Sequence, residues 1–341
     1  MKAVYDTAQA EHDPQFYLVR GQVTRSAEQP ERADRLKTAL DRLDVPVLPA
    51  KDFGPGPRAA VHTPDYLNFL ETANEEWQRL PGGASKEVTA NIHPTRYQGT
   101  YPKGVVGRAG WHMADTSCPL GENTFKAACA SANTALTAAE LVQSGDQHAY
   151  ALCRPPGHHA YADMAGGFCF LNNCAIVAQQ LRKHHDRVAI LDVDVHHGNG
   201  TQGIFYNRRD VLTISMHCDP ANYYPFHWGH TNERGAGDGE GFNLNLPMPP
   251  HSEDDVFLST LEQAKRTISA FAPSVLVVAL GLDASEKDPL RGLSVTTKGF
   301  EQIGRSVAEI GLPTVYVQEG GYLSDILTDN LAAFLAGATA T

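Results

Sequence analysis

The sequence predicts a three-layer α/β fold with a mostly parallel central sheet and helices on both faces. Two observations carry this. Short apolar, β-branched-rich runs recur along the chain and read as strands buried on both faces. Segments with helical apolar periodicity lie between them. In such folds ligands sit outside the carboxyl ends of the strands. No internal repeat or linker divides the 341 residues, so a single domain over 1–341 is expected.

The elements follow in chain order. In "PERADRLKTALDRL" Leu36, Ala39, Leu40 and Leu43 share one helical face, and Pro30 suits the first turn. "TPDYLNFLETANEEW" is a second helix. Residues 81–123, rich in Gly, Pro and polar side chains, form an irregular insertion, long enough for a functional loop or an interface. Thr124–Val142 is an Ala-rich helix ended by Ser-Gly, followed by the strand "AYALC". Asn172–His185 is a helix, and "RVAILDVDV" and "VLTIS" are strands. "HSEDDVFLSTLEQAKRTISAF" opens with Ser252 and Asp255 spaced as in a capping box. "SVLVVALGL" is a strand, Thr297 caps a helix to Ile310, and "TVYVQEGG" is the last strand.

Composition narrows the function. Lys and Arg total 28 against 39 Asp and Glu, a formal charge of −11. Such a chain repels phosphate backbones and attracts small cations, which argues against nucleic acid as a partner. No apolar run approaches a membrane span, and the N-terminus has no signal-peptide core. The six cysteines lack a CxxC pair and read as buried, reduced thiols of a cytoplasmic protein.

"LDVDVHHGNG" carries the chemistry. On an extended strand Asp192, Asp194 and His196 share one face, and carboxylate and imidazole both suit Zn²⁺. Alone, this pattern fits a capped turn better than a metal site. Four further stretches shift the balance. "SVLVVALGLDAS" ends a strand on Asp283, either a helix cap or a ligand. "RPPGHHA" presents His158 and His159 in a rigid turn, a surface turn or an acid/base pair. "GGFCFLNN" offers Gly167 for close backbone approach, Phe168 for a slot wall and Phe170 for the core. In "VQEGGY" paired glycines, Gly320 and Gly321, either form a plain turn or aim Tyr322 at a developing oxyanion.

In this order the five motifs resemble the histone deacetylase and acetylpolyamine amidohydrolase superfamily, from about Arg32 to Tyr322, and within it the bacterial acetylpolyamine amidohydrolase branch. The resemblance implies an arginase-like fold and one catalytic Zn²⁺ per subunit held by Asp194, His196 and Asp283. It implies His158 and His159 as acid/base groups, Asp192 behind His158, Asn199 behind His159, and Tyr322 beside the oxyanion. It implies structural K⁺ held by the Asp192 side chain and the carbonyls of Asp194, His196, Ser215 and Met216. A second K⁺ would use backbone at Phe205, Arg208, Val211 and Phe242. Phe168, Tyr224, Gly167 and Gly320 would bound the substrate, and Arg32 matches an arginine near an inner channel, or is an exposed helix residue.

One departure concerns the rim. Deacetylases that grip a peptide backbone carry an aspartate just before Cys-Pro; "DTSCP" has Ser117 there and Asp115 two residues earlier. With the negative charge and the insertion, this points to a small cationic acetylated amine; the resemblance to the acetylpolyamine branch implies a homodimer. The implied reaction is deacetylation of acetylputrescine, acetylcadaverine, acetylspermidine or acetylspermine. The alternatives are acetyl-lysine deacetylation in proteins and a metal-free binding module. A di-metal ureohydrolase would need more carboxylates than these motifs supply.

Overall fold

The apolar runs pair side by side, and the chain crosses over between them through helices. The structure, a computed structural model, describes residues 1–95 and 99–340. The strands are β1 (Lys2–Tyr5), β2 (Phe16–Val19), β3 (Gln22–Arg25), β4 (Val47–Pro49), β5 (His148–Ala151), β6 (Val188–Asp192), β7 (Val211–Cys218), β8 (Asn243–Met248), β9 (Val275–Leu280) and β10 (Thr314–Gln318). The helices are α1 (Glu31–Arg42), α2 (Gly56–Ala59), α3 (Pro64–Gln78), α4 (Val105–His112), α5 (Thr124–Gln143), α6 (Asn173–Leu181), α7 (Asn199–Phe205), α8 (Asp254–Phe271), α9 (Thr297–Ala308) and α10 (Leu327–Thr339).

Eight strands form one sheet in the order β4-β1-β5-β10-β9-β6-β7-β8, and every pairing within it is parallel. Because side chains alternate along a strand, each strand feeds two cores. Ala189 and Leu191 of β6 pack with α1, α8, α9 and α10 through Leu36, Phe257, Phe300 and Phe334. Val188 and Ile190 pack with α5 and α6 through Ala138 and Ala178. A third cluster joins α3 and α4 around Phe69, Ala109 and Phe170, so Phe170 is a core residue as expected.

Several sequence expectations are corrected. Segment 81–123 is not irregular throughout. It holds α4 and a bridge between Val88 and Leu120; residues 96–98, within it, lie outside the described residues. The helix expected over Asn172–His185 stops at Leu181, and the amides of His184 and His185 turn back to the Leu181 carbonyl. Ser252 caps no helix: its hydroxyl donates to Pro249 O, and Glu253 precedes α8. Thr296, not Thr297, caps α9, accepting from Gly299 N, while Thr297 donates to Asn330 Oδ1. Arg32 is buried rather than exposed.

Arg32 belongs to a charged knot under the sheet's carboxyl end. Glu28 is fully buried and takes Arg32 Nη1 at 2.8 Å and Arg154 Nε at 2.9 Å. Burial pushes the Glu28 carboxyl up, but Arg154 and Arg32 outweigh it and hold the group below its ordinary value. Glu28→Gln would leave two buried guanidiniums short of charge and is expected to cost about 3–5 kcal/mol in urea unfolding at neutral pH. A folded-state pKa below the unfolded one gives stability that is lost as pH falls, so the gap between variant and parent should narrow in acid.

Candidate active site

Five neighbouring strands, β5, β10, β9, β6 and β7, end on the same edge of the sheet. The motif residues follow their last residues, so sheet order brings together side chains far apart in sequence. Asp194 and His196 do not lie on the strand, as an extended reading would have it, because β6 ends at Asp192. Beyond it the chain bends twice around carboxylates. Asp192 Oδ1 accepts from Asp194 N at 3.1 Å, and Asp194 Oδ1 accepts from His196 N at 2.9 Å. These local turns, typical of Asp, replace strand alternation as the device that aims the side chains.

Asp194, His196 and Asp283 converge, all buried, with their donor atoms within 4.8 Å of one another. His196 Nδ1 lies 3.0 Å from Asp194 Oδ1 and 3.2 Å from Asp283 Oδ2. The second contact lacks hydrogen-bond geometry, so Asp283 Oδ2 is a buried carboxylate oxygen with no hydrogen-bond partner among the described residues. Asp283 Oδ1 accepts from Val195 N, and Asp194 Oδ2 accepts from Gly320 N. A Cβ on Gly320 would overlap Asp283 Oδ2 and Asp194 Oδ2, which explains glycine there. Two carboxylates packed without a cation are unfavourable. Burial and Asp194 push Asp283 up to about 6, while His196, lowered by burial, is lifted to about 9 by the two aspartates. Two carboxylates, one imidazole and an orphaned oxygen fit a divalent ion of the zinc class.

The tandem histidines lie beside this set, ring centroids 4.0 Å apart. His158 Nδ1 is 2.9 Å from Asp192 Oδ2, and His159 Nδ1 is 2.6 Å from Asn199 Oδ1. The partners divide the pair. Burial lowers His158, but Asp192 and Asp194 outweigh it and raise its pKa; burial, His158 and His196 all lower that of His159. His197 is buried behind the site, its Nε2 3.0 Å from Gln202 Oε1 and 3.2 Å from Asn245 Oδ1.

Above them opens a cavity of about 380 Å³, lined by His159, His196, Phe168, Tyr224 and Tyr322 among others. Gly167, at φ +52°, forms part of its wall where a Cβ would strike His159. Ser117 is among the lining residues, whereas Asp115 is not. Asp115 accepts from Tyr224 Oη at 2.7 Å, from Gly167 N at 3.2 Å and from Ser117 N at 2.8 Å. It therefore braces one aromatic wall and the glycine beneath it. For the expected K⁺ positions, the β6–β7 register sets Asp192 opposite Ser215, next to Met216. The carbonyls of Phe205 and Phe242 accept from Arg208 N and Thr213 N, and Val211 begins β7 beside them.

Four contributors escaped the sequence reading. Tyr223 stacks on His196, ring centroids 5.1 Å apart. Tyr17, from the β2–β3 hairpin, meets Phe168 edge-on at 5.4 Å. Glu319 accepts from Gly157 N at 2.6 Å and His158 N at 3.0 Å, fixing the histidine turn. Asp288 accepts from Tyr322 N at 2.9 Å. Signals existed for two of them: "FYLVRGQVTR" alternates around an Arg-Gly turn, and Glu319 sits inside "VQEGGY".

Known proteins resemble this chain along nearly its whole length. Residues 26–338 match the histone deacetylase domain. The chain is 48% identical to an acetylpolyamine amidohydrolase of Burkholderia pseudomallei over 99% of this chain and 98% of that one. It is 40% identical to acetylpolyamine amidohydrolase 1 of Pseudomonas aeruginosa, over 99% and 98% of the two chains. A crystal structure of acetylpolyamine aminohydrolase from Burkholderia pseudomallei superposes with a TM-score of 0.96 at 48% identity, covering 100% of this chain and 99% of the other.

Proposed function

The chain belongs to the histone deacetylase family, and we propose that it is a zinc-dependent amidohydrolase that removes acetyl groups from small acetylated amines such as acetylputrescine and acetylcadaverine. One observation carries the chemistry: Asp194, His196 and Asp283 converge, with an orphaned carboxylate oxygen, beneath an aromatic-walled cavity. The substrate class rests on the extent of likeness to acetylpolyamine amidohydrolases.

The chain's own groups divide the work. Phe168 and Tyr224 hold the methylene chain of the amine, and their walls exclude water from it. When bound, Zn²⁺ supplies Lewis-acid polarisation of the acetamide carbonyl and of the attacking water. His159 is the proton acceptor: it lines the cavity, is held neutral, and has its Nδ1 engaged by Asn199, which leaves Nε2 free. His158, kept cationic by Asp192, supports the negative charge that develops and serves as a proton source for the departing amine. Tyr322 donates to the developing oxyanion. K⁺ beside Asp192, Ser215 and Met216 would brace β6 and β7, with a second near Phe205, Arg208, Val211 and Phe242. Six free thiols suit a reducing cytoplasm, and among the described residues no helix is long and apolar enough to cross a membrane. The homodimer expected from the family likeness is read by light scattering.

Acetyl-lysine in proteins is the competing substrate. A rim carboxylate free to grip a peptide backbone would favour it, and Asp115 is instead engaged by Tyr224, Gly167 and Ser117. Metal-loaded enzyme should release acetate from acetylputrescine faster than from an acetyl-lysine peptide. A chelator should abolish both activities and Zn²⁺ restore them. Preference for the peptide would transfer the reading to protein deacetylation.

A further inference from the structure

The wall of the substrate cavity carries an unexpected charge. The protein bears a formal −11, yet among the described residues no acidic side chain belongs to the cavity lining, whereas Arg20, an exposed residue, does. Behind the wall, the Asp115 carboxylate is engaged by Tyr224, Gly167 and Ser117. Arg20 is exposed and has no hydrogen-bond or ion-pair partner among the described residues.

The backbone places this guanidinium deliberately. Val19 pairs with Gln22, so Arg20 and Gly21 form the two-residue turn of the β2–β3 hairpin, at φ +51° and +79°. Both conformations are left-handed, as this turn requires, and the first of its two positions ordinarily goes to Asn, Asp or Gly. A long cationic side chain in that position is a locally unfavourable choice, of the kind that accumulates at functional sites. The hairpin is also tied to the slot. Tyr17 packs edge-on against Phe168, and Thr116 Oγ1 donates to Leu18 O at 3.5 Å.

We propose that Arg20 selects the charge at the far end of the substrate and extends the activity to acetamides ending in a carboxylate, the ω-acetamido alkanoates. This rests on the amidohydrolase reading of the same site. The reaction is hydrolysis: the amide C–N bond breaks, water's oxygen joins the acetyl carbon, and its protons pass to the amine and solvent. The products are acetate and an ω-amino acid. The global negative charge opposes an anion at a distance. At physiological salt, screening over about 8 Å leaves the local guanidinium to decide at the mouth.

The test compares kcat/KM of the metal-loaded parent, Arg20→Ala and Arg20→Glu on three substrates of matched length. These are 4-acetamidobutanoate (anionic), N-butylacetamide (neutral) and N-acetylputrescine (cationic). Ratios to the neutral substrate cancel any loss of folded or loaded enzyme. The anionic-to-neutral ratio should fall about tenfold in Arg20→Ala and further in Arg20→Glu, while the cationic ratio rises, and both shifts should shrink in high salt. Acetylputrescine turnover without any of 4-acetamidobutanoate, or ratios indifferent to residue 20, overturns the proposal. Hydrolysis of the anionic and neutral amides without acetylputrescine upholds it and overturns the acetylated-amine reading instead. Absence of all turnover overturns both.

Discussion

Asp283→Ala protein should contain almost no zinc by elemental analysis and turn over acetylputrescine at least about 10³-fold more slowly than the parent. The carboxylate supplies one of three candidate ligands, and the remaining Asp194 and His196 are too few for a closed site. Loss of fold would give the same kinetic result, so stability must be measured alongside. Asp283 is a buried carboxylate crowded by Asp194 and pushed up to about 6. A folded pKa above the unfolded one means that the ionised group costs stability above about pH 4. The metal-free Asp283→Asn protein, which retains an acceptor for Val195 N, should therefore unfold at no lower urea concentration than the metal-free parent. Full zinc content in either variant would remove Asp283 from the site.

Tyr322→Phe should lower kcat by about 10²–10³-fold with KM and zinc content nearly unchanged. The backbone of Tyr322 is anchored to Asp288, its ring meets Phe168 at 5.6 Å, and Arg32 lies 4.9 Å over its face. Those contacts survive in phenylalanine, so the slot keeps its shape. The hydroxyl alone is lost, and it makes no hydrogen bond with the described residues. Burial raises its pKa well above the ordinary phenol value, more than Arg32 lowers it, which keeps the proton available for donation. Unchanged kcat would exclude it from the reaction. A matching rise in KM would make it a binding group only.

The buried strands were legible because their signal is local. β5, β6, β7, β9 and β10 are almost wholly buried, and their largely apolar runs stand out from the flanking helices. β1, β4 and β8 were not. β1 and β4 are four and three residues long, and β8 mixes Asn243, Asn245 and Pro247 into its run. Their strand state comes from pairing with neighbours, which no short window contains. The two failed caps have different causes. Thr297 is drawn to Asn330 on another element, whereas Ser252 is held by a local turn, donating to Pro249 O.

By itself the sequence determined the chemical types at the site: two aspartates and a histidine of ligand type, paired histidines, an aromatic slot and a terminal tyrosine. It also set the aspartates, the ligand histidine and Tyr322 at or near the ends of apolar runs, since both features are local in the chain. Only the tertiary structure decided which of them meet. Sheet order places β5, β10, β9 and β6 side by side, bringing Asp283 to His196 and Glu319 to His158. It also decided that Asp115 accepts from Tyr224, 109 residues away, and that Arg20 is part of the cavity lining. Those outcomes depend on strand register and hairpin placement. The free energy behind both is burial of the shared cores, which belongs to no single stretch of the chain.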